Sequence, residues 1–265
     1  MQVNHATCNE IIETIIKFLS KTVGADKISS VILFGSFLDG SASPMSDIDV
    51  LVVLRSSDKR IIRKAAAVLR SLENRKPPSS LIEMVLEGVK AKTGMFKSFF
   101  VCSEDDLKSG DFPSIFSLSR AMCLLLAPSK LVLGSVIDGA KVVYGCIQLP
   151  PPPKLSSAQI LKSLVMNLIL SMAAIIIAPF IKEAAKYSME AGKWSVMASY
   201  YYTFRKRLPV EKIPQSLSGW TRVHAAKLIS LRRNYWNDPY ILILTPFFTL
   251  TTHLLALRGA IRLVP

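Results

Sequence analysis

Sulfur and imidazole are scarce in this sequence, and neither is arranged to hold a metal. The four cysteines (Cys8, Cys102, Cys123, Cys146) stand singly without CxxC spacing, and the three histidines (His5, His224, His253) accompany none of them. A legible zinc site and a disulfide scaffold are therefore excluded. Acid is scarce as well, but only in one part of the chain. Residues 1–150 carry 18 basic and 15 acidic side chains, net +3, whereas residues 151–265 carry 15 basic and 4 acidic, net +11. A field of that sign attracts polyanions, either a nucleic acid or an anionic lipid surface, and its plain alternative is a solvated basic face. No cleavable leader is legible, since Met1 runs into the polar Gln2-Val3-Asn4-His5. The expected location is the cytoplasm, with the thiols serving as small buried hydrophobes. No internal repeat stands out.

Apolar material is plentiful, at 50% of 265 residues, enough for one large domain or two small ones. Thr7 with Glu10 reads as a capping box ahead of the stripe Ile11, Ile12, Ile15, Ile16, Leu19 and Val23. Residues 30–34 (SVILF) and 48–54 (IDVLVVL) read as buried strands, with a Gly/Ser/Pro-rich loop from Gly35 to Ser46 between them. Helical spacing returns at 57–73; residues 81–86 and 96–102 read as further strands, Ser103 with Asp106 as a helix start, and 114–146 as helical with a break at Pro128. The pattern predicts an α/β (α+β) domain with a small mixed sheet over residues 1–149, followed by a basic all-α domain over 150–265. Their boundary falls at the tetraproline Pro150 to Pro153, which continues neither a helix nor a central strand. Two stretches in the second domain, 164–181 and 239–257, carry no charge apart from neutral His253. The expectation for both is a buried helical core, with a membrane hairpin as the alternative.

Chemistry concentrates at the start of the second strand. Alternation sends Asp47 and Asp49 to one face while Ile48 enters the core on the other. Two carboxylates that close repel each other unless a cation lies between them, and hard oxygen donors without histidine or cysteine favour Mg²⁺, or Mn²⁺ in its place. Upstream, Gly35-Ser36 directly follows a buried strand. Glycine there lets backbone N–H groups approach a phosphate, and the serine hydroxyl can donate to its oxygens.

Leu33-Phe34-Gly35-Ser36, Gly40 and Ser46-Asp47-Ile48-Asp49-Val50 together resemble the signature of the DNA polymerase β nucleotidyltransferase superfamily, particularly its minimal archaeal and bacterial branch. The resemblance covers residues 28 to about 146. It implies an NTP held at Gly35, Ser36 and Ser46, metal ions held by Asp47 and Asp49, and a third carboxylate on the next strand, here Glu83. That residue stands alone on an apolar run, and burying it without a partner is costly, which suits a metal ligand; the other reading makes Glu83 an edge charge and leaves the role to Glu87 or to nothing. The implied reaction is transfer of an NMP from the NTP to an acceptor hydroxyl with release of pyrophosphate. Asp39 departs from the pattern, since many relatives carry a basic residue shortly before the second glycine. A second reading therefore stands beside the enzyme: a catalytically weak binding module, antitoxin-like or a nucleic-acid adaptor. Neither His224 nor His253 has the upstream Arg that marks the ribonuclease-type helical partners of this superfamily, so no nuclease activity is expected.

The acceptor is not legible in these residues. Tyr200-Tyr201-Tyr202-Thr203-Phe204-Arg205-Lys206-Arg207 and Leu231-Arg232-Arg233-Asn234-Tyr235-Trp236 mix aromatics with cations, as nucleic-acid binders do, and equally as helices do that keep aromatics inside and cations outside. A nucleic acid or a partner protein engaged through the basic domain is the expectation.

Overall fold

The chain begins with helix α1 (His5–Val23), whose Ile12, Ile15, Leu19 and Val23 recur at helical spacing and are buried. The helix already includes Thr7, so the expected capping box does not form its start. This is a computed structural model, and it describes residues 5–38, 48–72, 97–181 and 184–264. Strand β1 (Ile28–Phe34) follows and is buried along its whole length. Strand β2 (Asp49–Leu54) lies antiparallel to it, buried everywhere except at half-buried Asp49.

Helix α2 (Lys59–Leu72) is strongly two-sided: Ala65 and Leu69 face inward while its Lys and Arg residues face solvent. Strand β3 (Phe99–Ser103) runs parallel to β2. Ser103 then caps helix α3 (Glu104–Ser109) in the expected way, its hydroxyl oxygen accepting from the Asp106 amide while the Asp106 carboxylate accepts from the Ser103 amide. Short helices α4 (Phe112–Ile115), α5 (Arg120–Leu125) and α6 (Ser129–Asp138) lead to strand β4 (Lys141–Gly145), which pairs antiparallel with β1. Residues 114–146 are therefore not all helical: the last part closes the sheet as a half-exposed edge strand.

The resulting sheet is small and mixed, in the order β3-β2-β1-β4. Val31, Leu33, Val50, Val52 and Val101 pack beneath α1 and α2 in one apolar core. Each fully buried aliphatic of this kind contributes on the order of 1.5–3 kcal/mol.

After residue 156 every described element is helical: α7 (Ser157–Ile177), α8 (Ala184–Phe204), a 3-10 turn at Val210–Ser216, α9 (Gly219–Arg232) and α10 (Pro239–Leu257). The chain divides into two compact units, and the division is interleaved. The first takes Ser46–Leu124 and Gly139–Pro151 with the N-terminal residues; the second takes Leu125–Asp138 together with Pro152–Pro265.

In the second unit α8 is the central helix, and α7, α9 and α10 all pack on it. Gly192 makes this closeness possible, because a methyl group there would press on Leu228 of α9 and Thr245 of α10. The two charge-free stretches do become helices, but they are not the buried apolar core that their composition suggests. Helix α7 turns Gln159, Ser163, Asn167 and Ser171 inward and leaves Leu161, Ile169, Met172 and Ile176 exposed. Helix α10 is mixed: it buries Thr245, Thr249, Thr252 and His253 beside Ile241, Phe248 and Ala256, and exposes Ile243, Phe247, Leu254 and Leu257.

Candidate functional site

Two apolar anchors shape the bend between β1 and β2. Phe37, just past the bend, is buried in the core formed with α1 and α2, and Ile48, just before β2, is buried in that same core. Because side chains alternate along a strand, the residue after Ile48 must project to the opposite face of the sheet. That residue is Asp49, placed opposite Phe34 in the β1–β2 register. The expectation that Ile48 points into the core and Asp49 away from it is met.

Gly35 is the first residue beyond β1 and takes φ +88°, a left-handed conformation that strains any side chain. It also lacks room for one: a Cβ at this position would overlap the Asp49 carboxylate. The backbone of the bend thus lies directly against the carboxylate, with half-buried Ser36 following. This brings a hydroxyl, main-chain N–H groups and a carboxylate to one end of the sheet, which is the donor set a metal-bound phosphate uses.

An aromatic wall stands behind the carboxylate, and sequence reading alone did not assemble it. Phe34, beside Asp49 on the same face, contacts Phe100 of β3 with ring centroids 5.9 Å apart and Phe116 at 6.3 Å in an edge-on arrangement. Phe116 also meets Phe112 at 4.8 Å. Apolar neighbours lower the local dielectric and strengthen attraction between a carboxylate and a cation. The available signal was the position of Phe34 immediately before Gly35.

Of the residues singled out from the sequence, Gly35, Ser36 and Asp49 meet at this bend. Ser46, Asp47 and Glu83 lie outside the described residues, as do Asp39, Gly40 and the expected strand at 81–86. Among the described residues no three His, Cys, Asp or Glu side chains cluster as a metal site. A divalent ion fits what is present at the bend in one respect: an acidic, hard oxygen donor lies against the glycine backbone, where a Cβ would overlap it. A separate cleft of about 470 Å³, lined by Ser57, Lys59, Arg63, Ser103 and Asp105, opens at the far end of β2. Five strand steps separate that end from Asp49, roughly 17 Å, so the cleft is not part of this site.

The basic-aromatic strings of the second unit resolve mainly into structure. Tyr200 and Tyr201 are buried, and the Tyr200 hydroxyl both donates to the Val264 carbonyl at 3.1 Å and accepts from its amide at 3.0 Å. Arg232 is buried too, its Nε donating to Glu190 at 2.7 Å, while the Tyr235 hydroxyl donates to the same carboxylate oxygen at 2.9 Å. Lys193 completes this cluster as a second cation on Glu190. Burial by itself would raise the Glu190 carboxyl, but Lys193 and Arg232 overcome it and hold the pKa at about 2. Arg205, Lys206 and Trp236 stay exposed. Of the aromatics in these strings Tyr200 and Tyr201 are thus interior, Tyr202, Phe204 and Tyr235 are half-buried, and Trp236 is at the surface.

Residues 12–92 match the family model of the nucleotidyltransferase domain. A search of curated proteins finds no match. Among solved structures the fold is similar to the spectinomycin adenyltransferase AAD(9) from Enterococcus faecialis, determined with ATP and spectinomycin, with a TM-score of 0.55, 11% identity, and coverage of 94% of this chain and 98% of that one. The small mixed sheet and the mostly helical remainder are both shared with that structure's fold. The match to the nucleotidyltransferase domain spans residues 12–92, the part of the chain that holds β1, the Gly35 bend, β2 and α2.

Proposed function

We propose that the domain transfers an NMP from an NTP to an acceptor hydroxyl, in a divalent-metal-dependent reaction that releases pyrophosphate in the cytoplasm. The observation that carries this reading is the apposition of the Gly35 bend to Asp49, where a left-handed glycine lets the main chain lie directly against the carboxylate. Gly35 and Ser36 would cradle the triphosphate through main-chain N–H groups and a hydroxyl, with Ser46 as a further donor. Asp49, together with Asp47, would hold Mg²⁺ or Mn²⁺, and Glu83 is the candidate third carboxylate. Such an ion, when bound, offsets triphosphate charge and lowers the pKa of an acceptor hydroxyl. The acceptor oxygen forms a bond to the α-phosphorus as the bond to the bridging oxygen breaks; pyrophosphate departs and the hydroxyl proton passes to Glu83.

ATP is the donor to try first, because the structural neighbour was determined with ATP, and a hydroxyl-bearing small molecule such as spectinomycin is the first acceptor to try for the same reason. Incubating the protein with labelled NTPs, Mg²⁺ or Mn²⁺ and candidate acceptors should give a labelled adduct and pyrophosphate. Asp49→Asn should lower the rate about a thousandfold or more, the loss expected when several kcal/mol of charge stabilisation disappears, while the circular dichroism spectrum stays unchanged. Full activity in Asp49→Asn overturns the mechanism. Metal-dependent NTP binding without any product identifies the binding-module reading instead, which Asp39 favours.

A further inference from the structure

In the helical unit many polar side chains lie inside beside the apolar clusters, and two of its helices leave apolar faces outward. On α7 the inward stripe of Gln159, Ser163, Asn167 and Ser171 repeats every four residues, and around the rest of the helix apolar side chains are exposed or half-exposed. Only 22% of its most apolar stretch is buried, against 44% for α10. On α10 the exposed residues Tyr240, Ile243, Phe247, Leu250, Leu254 and Leu257 form a second continuous stripe. The two helices pack on each other as well as on α8. Hydroxyls join α8 to α10: the Ser195 hydroxyl bonds to Thr249 Oγ1 at 3.1 Å and the Ser188 hydroxyl to the Ile241 carbonyl at 3.4 Å. Close approach through small residues joined by hydroxyls is how helices associate where the surroundings are as oily as their side chains.

We infer that α7 and α10 face the hydrocarbon of an anionic lipid bilayer. Three observations select lipid over a second copy of the chain. A partner helix covers one narrow seam, whereas α7 carries the exposed stripe Leu161, Val165, Ile169, Met172 and Ile176 with half-exposed apolar residues on both sides of it, and α10 adds a second stripe. At 21 and 19 residues the helices run about 32 and 29 Å, close to the ~30 Å hydrocarbon thickness. The third is charge. Helices α7 and α8 form a hairpin, and the pairs Ser188–Ile241, Ser195–Thr249 and Tyr202–His253 set α8 parallel to α10. The start of α7 and the ends of α8 and α10 therefore meet at one end, where Lys154, Arg205, Lys206, Arg258 and Arg262 are exposed. Exposed Trp236 and Tyr240 mark the other end, where Arg233 is exposed and Lys227 is paired with Asp238. The larger surplus of cations at one boundary and amphipathic rings at the opposite one suit anionic headgroups and a membrane interface.

The test uses the full chain and does not depend on its catalytic reading. Vesicles of phosphatidylglycerol and phosphatidylcholine are floated on a density gradient with the protein purified in mild detergent that is then removed. Wild type should float with them and resist extraction by high salt, and Ile169→Lys/Phe247→Lys should bind roughly tenfold less or weaker still. Both positions are exposed, so retention of the α-helical spectrum shows that the substitution acts on the surface. Arg258→Glu/Arg262→Glu should erase the preference for anionic over neutral vesicles. A protein that is monodisperse without detergent and stays at the bottom of the gradient overturns the inference, and so does a discrete oligomer whose subunits part when Ile169 and Phe247 are changed, since a second copy then covers the face.

Discussion

The two units of this chain solve opposite problems with similar amounts of apolar residue. In the sheet unit β1 and β2 are buried almost throughout, the charges of α2 face solvent, and the polar group that matters, Asp49, sits at the rim. In the helical unit serines, threonines, two histidines and a Glu-Arg pair lie inside beside Leu208, Leu217, Leu228, Ile213 and Phe248, while α7 and α10 leave other leucines, isoleucines and phenylalanines outside. Composition alone therefore does not say which way a helix faces. Some of the buried hydroxyls bond across helices, as Ser195 does to Thr249 and Ser188 to the Ile241 carbonyl, while Ser171 and Thr245 bond to carbonyls of their own helix.

Arg232→Ala probes this contrast hardest. It leaves Glu190 buried beside one cation instead of two and should cost about 3–5 kcal/mol, read as an earlier chemical-denaturation midpoint for the helical unit with little change in the sheet unit. A loss below 1 kcal/mol would mean that the polar interior does not hold that unit together.

Acid should separate the two units next. Burial, with help from nearby Lys227, lowers the His224 pKa from 6.5 to about 4. The unfolded chain then binds the proton more tightly than the folded one, so stability is full above pH 6.5 and falls as pH drops toward 4, by roughly 3 kcal/mol at most. Glu190 adds a second acid-labile window lower down, its stabilisation being present above pH 4.5 and lost as pH falls toward about 2. Thermal melts from pH 7 to pH 4 should show the helical unit weakening first, and His224→Gln should reduce that dependence, leaving the part carried by His253, whose imidazole pKa is likewise lowered to about 4 by burial. The smallest effect on stability belongs to the sheet unit: Gly35→Ala forces a left-handed alanine against Asp49 and should cost about 1–2 kcal/mol, yet remove most nucleotide transfer. Transfer assays paired with denaturation curves would show the two effects apart.

Much of the sheet unit was legible because its cues are local. The apolar runs ending at Phe34 and Leu54, the amphipathic α2 and the Ser103–Asp106 cap each declare themselves within a few residues. The bend was legible because Gly35 and Asp49 need each other, one lacking a side chain where the other places its carboxylate. Strand β4 was hidden: five residues with a half-exposed, unalternating pattern carry no period, and only pairing with β1 makes them a strand. The inversion of α7 was hidden in a different way. A hydropathy window averages over the turn and sees only grease, while the four-residue rhythm of Gln159, Ser163, Asn167 and Ser171 was visible to anyone asking which residues seek partners. Tyr200 and Tyr201 misled because an aromatic beside a cation looks the same whether its ring stacks on a base or fills a core.

The interleaving of the units governs how the molecule can be taken apart. Helix α6 belongs with the helical unit, where Leu131 packs with Ala198 and Tyr201, yet it precedes β4, the strand that borders β1. A cut after the tetraproline would strand α6 without its neighbours, and a cut before it would strip the sheet of an edge. A stand-alone catalytic fragment thus requires excision of the α6 segment and a short bridge from Leu124 to Gly139, a splice within the chain in place of a truncation.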